Sequence, residues 1–134
     1  MKIRSSLLLA AGFGLMLAVP VVAHHSFAAQ YDRDKPVTLV GPVTKIDWIN
    51  PHARFFVDAK DANGKVVTWE VELAAPAMLV RRGWTRNSLK LGESVTVSAF
   101  RAKDGSNLAN ASTVTLADGR KVFAGSSGDA GNTP

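Results

Sequence analysis

The chain has 134 residues, no cysteine and a formal net charge of +5 at pH 7. This length fits one small domain with a single core, and the absence of cysteine excludes a scaffold held by disulfides. If the first 23 residues are removed as a signal peptide, as argued below, Lys2 and Arg4 are lost. The remaining chain then has 14 basic and 11 acidic residues, a net charge of +3. Such a mild charge does not indicate nucleic-acid binding.

The first 23 residues have the pattern of a secretory signal peptide. Lys2 and Arg4 supply its positive region, and the apolar stretch 7–19 is too short to span a membrane comfortably. Small residues then lead to a cleavage site after Ala23, and no later apolar run is long enough to cross a membrane. We therefore predict a periplasmic or secreted protein whose first mature residue is His24.

Strand patterns follow a polar, turn-like stretch at 27–36. The strands predicted in the first half of the mature chain are 37–48, 54–59 and 65–73. Gly41 and Pro42 interrupt the first of them, which indicates a bulge or bend. Trp69 alternates with apolar residues on one face of the third strand, so we predict that it lies in the core.

The second half of the chain contains one helix pattern among further strands. A short helix is predicted at 74–82, because Pro76 is favourable in a first turn and Gly83 is favourable after a helix end. The fourth and fifth strands are predicted at 94–101 and 109–116, and a turn then leads into a short segment at 120–123. The composition of 125–134 predicts a disordered tail, which leaves the folded domain at 24–124.

The order of these elements predicts the fold class. Five strands with one short helix between the third and the fourth is the order of an OB-type Greek-key barrel. We therefore predict an all-β protein, a small OB-like barrel of five to six strands. A six-stranded sandwich is the alternative, since the order of elements does not separate the two.

Four short blocks resemble a bacterial family of small exported proteins of unknown function. They are His24-His25-Ser26-Phe27, Trp48-Ile49-Asn50-Pro51-His52, Arg82-Gly83-Trp84-Thr85-Arg86 and Lys103-Asp104-Gly105-Ser106. The resemblance implies a single periplasmic domain and brings no activity or cofactor. Arg54 departs from the pattern, because an aromatic residue is expected there. A weaker likeness is to periplasmic OB-type domains that bind small molecules or cations, and it concerns the fold alone.

Two of these blocks supply candidate ligand-binding residues. The aromatic, polar and basic side chains concerned are Trp48, Asn50, His52, Arg82, Trp84 and Arg86. Each has a structural alternative: Trp84 can close one end of the barrel, and the arginines can complement the dipole at the end of the helix. Glu70 and Glu72 have the pattern of an exposed pair of acids on one strand face.

The three histidines, His24, His25 and His52, are candidate metal ligands. A terminal histidine can chelate copper through its amine and Nδ1, and one more imidazole completes a site with three nitrogen ligands. In the alternative, His24 and His25 only mark the cleavage region and His52 stabilises a turn.

The sequence favours a binding or interaction module without catalytic residues. Its partner is predicted to be a small ligand, a cation or another periplasmic protein, and nucleic acid is not expected. The alternative function is copper binding through the mature N-terminal histidine. The two hypotheses differ in whether His24 or His25 lies near His52 in the fold.

Overall fold

A computed structural model describes residues 27–125 of the chain. The elements in chain order are α1 (Phe27–Gln30), β1 (Tyr31–Asp47), β2 (Arg54–Lys60), β3 (Val66–Glu72), α2 (Pro76–Arg81), β4 (Ser94–Ala102), β5 (Leu108–Thr115) and β6 (Lys121–Phe123). The predicted signal peptide, its cleavage site and most of the predicted tail lie outside the described residues. Among residues 27–125, no helix is long and apolar enough to span a membrane.

The strands form a sheet whose two ends meet. The strand order is β3-β2-β1-β4-β5-β6, and β3 also pairs with β5. The β3–β5 pairing is parallel and the other pairings are antiparallel, so five strands close into a barrel-like ring. This closure confirms the predicted all-β barrel, and α2 lies between the third and fourth strands as expected. A six-stranded sandwich is not formed, because β3 and β5 are hydrogen-bonded to each other.

The start of β1 corrects the prediction that 27–36 is turn-like. Residues 27–30 form one helical turn, and the strand begins at Tyr31 opposite Ala102 of β4. The register of this pairing shifts between Tyr31 and Pro36, which leaves room for the charged residues between them to face solvent. Tertiary pairing with β4 therefore overrides the polar composition that indicated a turn.

At its centre, β1 changes partners. Gly41 and Pro42 pair with β4, whereas Val43 is opposite Val57 of β2. A Cβ atom on Gly41 would lie 1.8 Å from the carbonyl oxygen of Asp58, a distance that no side chain could tolerate. The bend predicted at Gly41 and Pro42 is thus a point of very close approach between two strands, and an irregularity of register follows between Val43 and Lys45.

The barrel interior is filled by one face of each strand. In β2 and β3, Phe55, Val57, Trp69 and Val71 are buried while their neighbours in the chain are more exposed. Trp69 is 8% exposed, which confirms its predicted place in the core. The short α2 forms within the predicted stretch 74–82 but begins at Pro76, two residues later than predicted, and it contributes Leu79, which is fully buried.

Backbone hydrogen bonds close the end of the barrel beside α2, which we call the closed end. Ala53 N–H donates to Ala74 O (3.1 Å), and Ala74 N–H donates to Ala124 O (2.9 Å). Ala124 N–H in turn donates to Ser112 O of β5 (2.8 Å). The residues after β3 are therefore tied both to the start of β2 and to the segment after β6.

Gly41→Ala should destabilise the protein by about 2 kcal/mol or more, because the added methyl group would meet backbone atoms that cannot rotate away. The measurement is the free energy of unfolding in urea. Thr44→Ala is the control, since Thr44 is exposed on the same strand and its change should stay within about 0.5 kcal/mol. Equal stability of Gly41→Ala and the unmodified protein would contradict the close approach of β1 to β2.

Candidate functional site

The outer face of β2 and β3 carries charged and aromatic side chains. Arg54 lies opposite Glu72, and Phe56 lies opposite Glu70, in the antiparallel register of these strands. Because side chains alternate along a strand and Phe55 points into the core, these four residues face outward. On the other side of β3, Glu72 lies opposite Asn110 of the parallel strand β5.

Arg54 joins the two glutamates of this face. Its Nη1 lies 2.5 Å from Glu70 Oε1, and its Nη2 lies 3.6 Å from Glu72 Oε2. Glu72 is only 7% exposed although it points away from the barrel core. A carboxylate in such a place requires a compensating charge and hydrogen bonds, and Arg54 supplies the charge.

Two further buried polar residues complete the group, and we call Tyr31, Arg54, Glu70, Glu72 and Asn110 the outer polar cluster. Asn110, which is 2% exposed, donates from Nδ2 to Glu72 Oε1 at 3.3 Å. Among the described residues, the Asn110 Oδ1 atom is buried without a hydrogen-bond partner, and the Tyr31 hydroxyl is buried beside Glu72 without the geometry of a full hydrogen bond. Buried polar atoms without a partner are rare in proteins, so this arrangement requires an explanation.

The environment of Tyr31 raises the pKa of its hydroxyl well above the ordinary range. Burial is the main cause, because it disfavours the phenolate, and the negative charge of Glu72 and the contact of its carboxylate with the hydroxyl act in the same direction. The neutral hydroxyl is therefore the form present across the physiological range, and it can both donate and accept a hydrogen bond.

The N-terminal segment 27–31, which we call the strap, covers the cluster. The Phe27 ring lies 5.5 Å from the Tyr31 ring and 5.7 Å from the Phe100 ring, and it meets Phe100 edge-on. Lys103 donates from Nζ to Ala28 O (2.6 Å) and from its backbone N–H to Gln30 O (2.9 Å). The strap thereby covers the part of the outer barrel face around Tyr31 and Phe100.

Three of the predicted ligand-binding residues lie in the loop between β1 and β2. Trp48 is half-buried and packs against the core, whereas Asn50 is exposed. His52 is half-buried, and its Nδ1 lies 3.0 Å from the carbonyl oxygen of Leu73, the residue after Glu72. The structure thus brings the His52 loop to the edge of the outer polar cluster.

The other three predicted residues follow α2 at the closed end. Trp84 is 2% exposed and donates from its indole nitrogen to Phe123 O (3.0 Å), so its ring belongs to the core and offers no surface to a ligand. Arg82 donates to Gly125 O, and its guanidinium group lies 4.3 Å above the Phe123 ring. These contacts give Arg82 a role in fixing β6, while Arg86 is exposed.

The predicted metal site is described only in part. His24 and His25 lie outside the described residues, and only the position of His52 is known. Within residues 27–125, no group of three histidine, cysteine, aspartate or glutamate side chains is arranged to hold a metal ion. Metal binding through the three histidines therefore stays a prediction.

Sequence analysis missed the outer polar cluster. The spacing of Glu70 and Glu72 places both on the polar face of β3, and that pattern was interpreted as an exposed pair. The opposite charge of Arg54 on the neighbouring strand was an available signal for an ion pair. The burial of Glu72 was not predictable in this way, because it depends on Tyr31, which belongs to the stretch expected to be a turn.

Comparison with known proteins identifies a family. Residues 14–111 match a family of unknown function (DUF6152), and the chain belongs to this family because the match covers most of its length. No curated protein and no solved structure matches the chain. Membership agrees with the predicted resemblance to a family without an assigned activity.

Tyr31 is the only tyrosine of the chain, so difference absorbance can follow its ionisation. Because the folded pKa is raised, the unfolded chain loses the phenolic proton first, at a pH of about 10. The contribution of the neutral Tyr31 hydroxyl to the free energy of unfolding is fully present below that pH and is lost as the pH rises above it. As the pH rises above that value, the free energy of unfolding should therefore fall more steeply for the unmodified protein than for Tyr31→Phe. Phenolate formation near pH 10 in the folded protein would contradict the burial of the hydroxyl.

Proposed function

We propose that this DUF6152 protein is an exported binding module that holds a polar ligand on the outer face of β2 and β3. The observation that carries the proposal is the pair of buried polar atoms, Tyr31 Oη and Asn110 Oδ1, beside the buried carboxylate of Glu72. The unused acceptor of Asn110, with the Tyr31 hydroxyl and a charged group beside it, favours recognition of a ligand over a purely structural role. The signal-peptide pattern of the first 23 residues supports action outside the cytoplasm.

The chemistry of the face indicates which ligands it can hold. Asn110 Oδ1 and the carboxylates of Glu70 and Glu72 accept hydrogen bonds, so the ligand should carry hydroxyl or amine hydrogens. Phe56 is half-buried in the same face and offers an apolar surface, with Lys45 Nζ located 5.0 Å from its ring centre. A hydroxyl-rich or amine-bearing molecule of sugar or polyamine type satisfies these requirements.

A fold-level argument points to the same face. OB-type barrels bind oligonucleotides and oligosaccharides on the face of their second and third strands. Here that face carries Arg54, Phe56, Glu70 and Glu72, and the loop with Trp48, Asn50 and His52 borders it. The likeness of fold supports the location of the site and does not by itself identify a ligand.

NMR titration with chitotriose and with spermidine tests the ligand proposal. We expect shift changes confined to the outer polar cluster and to Phe56 with at least one of these probes. Tyr31→Phe should weaken binding by roughly fivefold, the effect of one lost hydrogen bond. Ser98→Ala, which removes an exposed hydroxyl from β4, should leave affinity unchanged. Shifts elsewhere on the barrel, or none with either probe, would contradict the proposal.

The orientation of His52 favours copper binding as a second candidate function. A carbonyl oxygen can only accept, so the 3.0 Å contact with Leu73 O requires that Nδ1 carries the hydrogen. In the neutral ring Nε2 then holds the lone pair, which is the usual arrangement of a metal-ligating histidine. We propose Cu(II) coordination by the amine and imidazole of His24, with His52 or His25 as the further imidazole.

Calorimetry with Cu(II) tests this second function on exported protein whose intact mass shows that it begins at His24. One residue added before His24 should lower affinity at least tenfold, because the amine no longer chelates with that imidazole. Affinity should also fall on acidification, since protons compete with the metal for the nitrogen atoms. Equal affinity of His52→Ala, together with loss in His25→Ala, would indicate a local terminal chelate. Binding no tighter than that of a peptide with the same first residues would contradict a copper site in the fold.

A further inference from the structure

Positive charge is concentrated at the closed end of the barrel. We call residues 80–93 and 116–121 the basic end. They contain six of the chain's arginine and lysine residues and only two acidic ones: Arg81, Arg82, Arg86, Lys90, Arg120 and Lys121, with Glu93 and Asp118. The rest of the described chain carries eight basic and eight acidic residues. The net positive charge of the described domain therefore resides entirely at the basic end.

Contacts join the two segments of the basic end into one surface. Arg82 donates to Gly125 O and lies over the Phe123 ring, so the end of α2 is held against the chain around β6. At the other side, Arg120 lowers the pKa of Asp118 through backbone and side-chain hydrogen bonds, and the charge of Lys90 adds to this effect. Lys90 is therefore close to the turn between β5 and β6.

The acidic residues of the basic end are already paired. Glu93 lies 4.0 Å from Lys90, and Asp118 lies 2.7 Å from Arg120. Arg81, Arg86 and Lys121 are exposed, and none of them forms an ion pair within residues 27–125. Three cations thus project from this end without a neutralising neighbour in the described structure.

Two large apolar side chains are exposed among these cations. Val80 is 56% exposed at the end of α2, and Leu91 is 66% exposed in the turn after Lys90. A soluble polyanion would gain from the cations alone. Exposed apolar side chains interspersed with lysine and arginine match the interface of an anionic membrane, where the apolar groups enter between the headgroups.

We propose that the basic end docks on a membrane surface that contains anionic phospholipids, with Val80 and Leu91 entering the interfacial layer and Arg81, Arg86 and Lys121 facing the headgroups. This proposal does not depend on the ligand of the outer face, because the two surfaces use different residues. It gives Arg86, predicted from the sequence as ligand-binding, an anionic headgroup as its partner.

Vesicle sedimentation tests the proposal with the mature protein and vesicles of phosphatidylcholine, with or without phosphatidylglycerol. Binding should require phosphatidylglycerol and weaken with salt. Arg86→Gln/Lys121→Gln should lower the partition coefficient by about 25-fold, since each cation at an anionic surface contributes about fivefold. The matched control is Lys60→Gln/Lys65→Gln, which removes the same charge from exposed positions at the opposite end and should change binding less than twofold. Equal losses in the two variants would overturn the proposal.

A second pair of variants separates a lipid surface from a soluble polyanion. Leu91→Ser should lower vesicle binding severalfold and leave retention on a heparin column unchanged, whereas Val66→Ser, a change at another exposed valine, should leave vesicle binding unchanged. The membrane proposal is wrong if Leu91→Ser has no effect on vesicle binding. It is also wrong if the unmodified protein does not bind vesicles that contain phosphatidylglycerol. Tight retention on heparin without vesicle binding would assign the basic end to a soluble polyanion instead.

Discussion

Closure of the barrel depends on the approach of β1 to β2 at Gly41. One strand must pair with β4 in its first part and with β2 in its second, and the backbone of Asp58 leaves no space for a side chain at the crossing point. Because Gly41 permits this crossing, the first part of β1 holds the strap beside β4, while the second part presents Lys45 and Asp47 beside β2. The position of the outer polar cluster follows from the same crossing.

The outer polar cluster faces away from the barrel core, and the strap buries it from the outside. The strap covers the sheet face at Tyr31, and this removes Glu72 and Asn110 from water although both point away from the apolar interior. Arg54 remains 41% exposed, so solvent screens its attraction to the two glutamates and the net stabilisation is small. In general, replacing a buried ion pair by well-packed apolar residues is often neutral or stabilising. The polar chemistry of this face therefore fits the ligand proposed for it.

Much of the fold could be predicted because each central strand has one face in the core. Alternation identifies β2 and β3, and Pro76 and Gly83 indicate a short helix to within two residues, because a missing N–H and a positive φ have local causes. The start of β1 could not be predicted in this way, since Asp32 to Lys35 are polar and their strand conformation depends on distant pairing with β4.

The candidate site was less predictable than the fold because burial on an outer face is a tertiary property. The alternation of side chains along β3 puts Glu72 on the polar side of the strand. Nothing in the sequence of β3 indicates that Tyr31 covers this residue. Trp84 shows the opposite case. The sequence allows Trp84 a place on the surface, because it lies beyond the helix. In the structure the chain turns back after Gly83, so the indole of Trp84 reaches the carbonyl of Phe123 and becomes part of the core.

Three consecutive residues at the end of β3 fix the candidate surfaces relative to one another. Glu72 belongs to the outer polar cluster, Leu73 accepts the contact from His52, and Ala74 is bonded to Ala124 beside the basic end. An extended chain advances about 3.3 Å per residue, so the cluster and the His52 contact lie within roughly 10 Å of each other. The carboxylate of Glu72 thus favours cations in the neighbourhood of His52. An amine-bearing ligand on the outer face and a copper ion at His52 would compete for this one region, whereas the basic end repels both and is suited to an anionic partner.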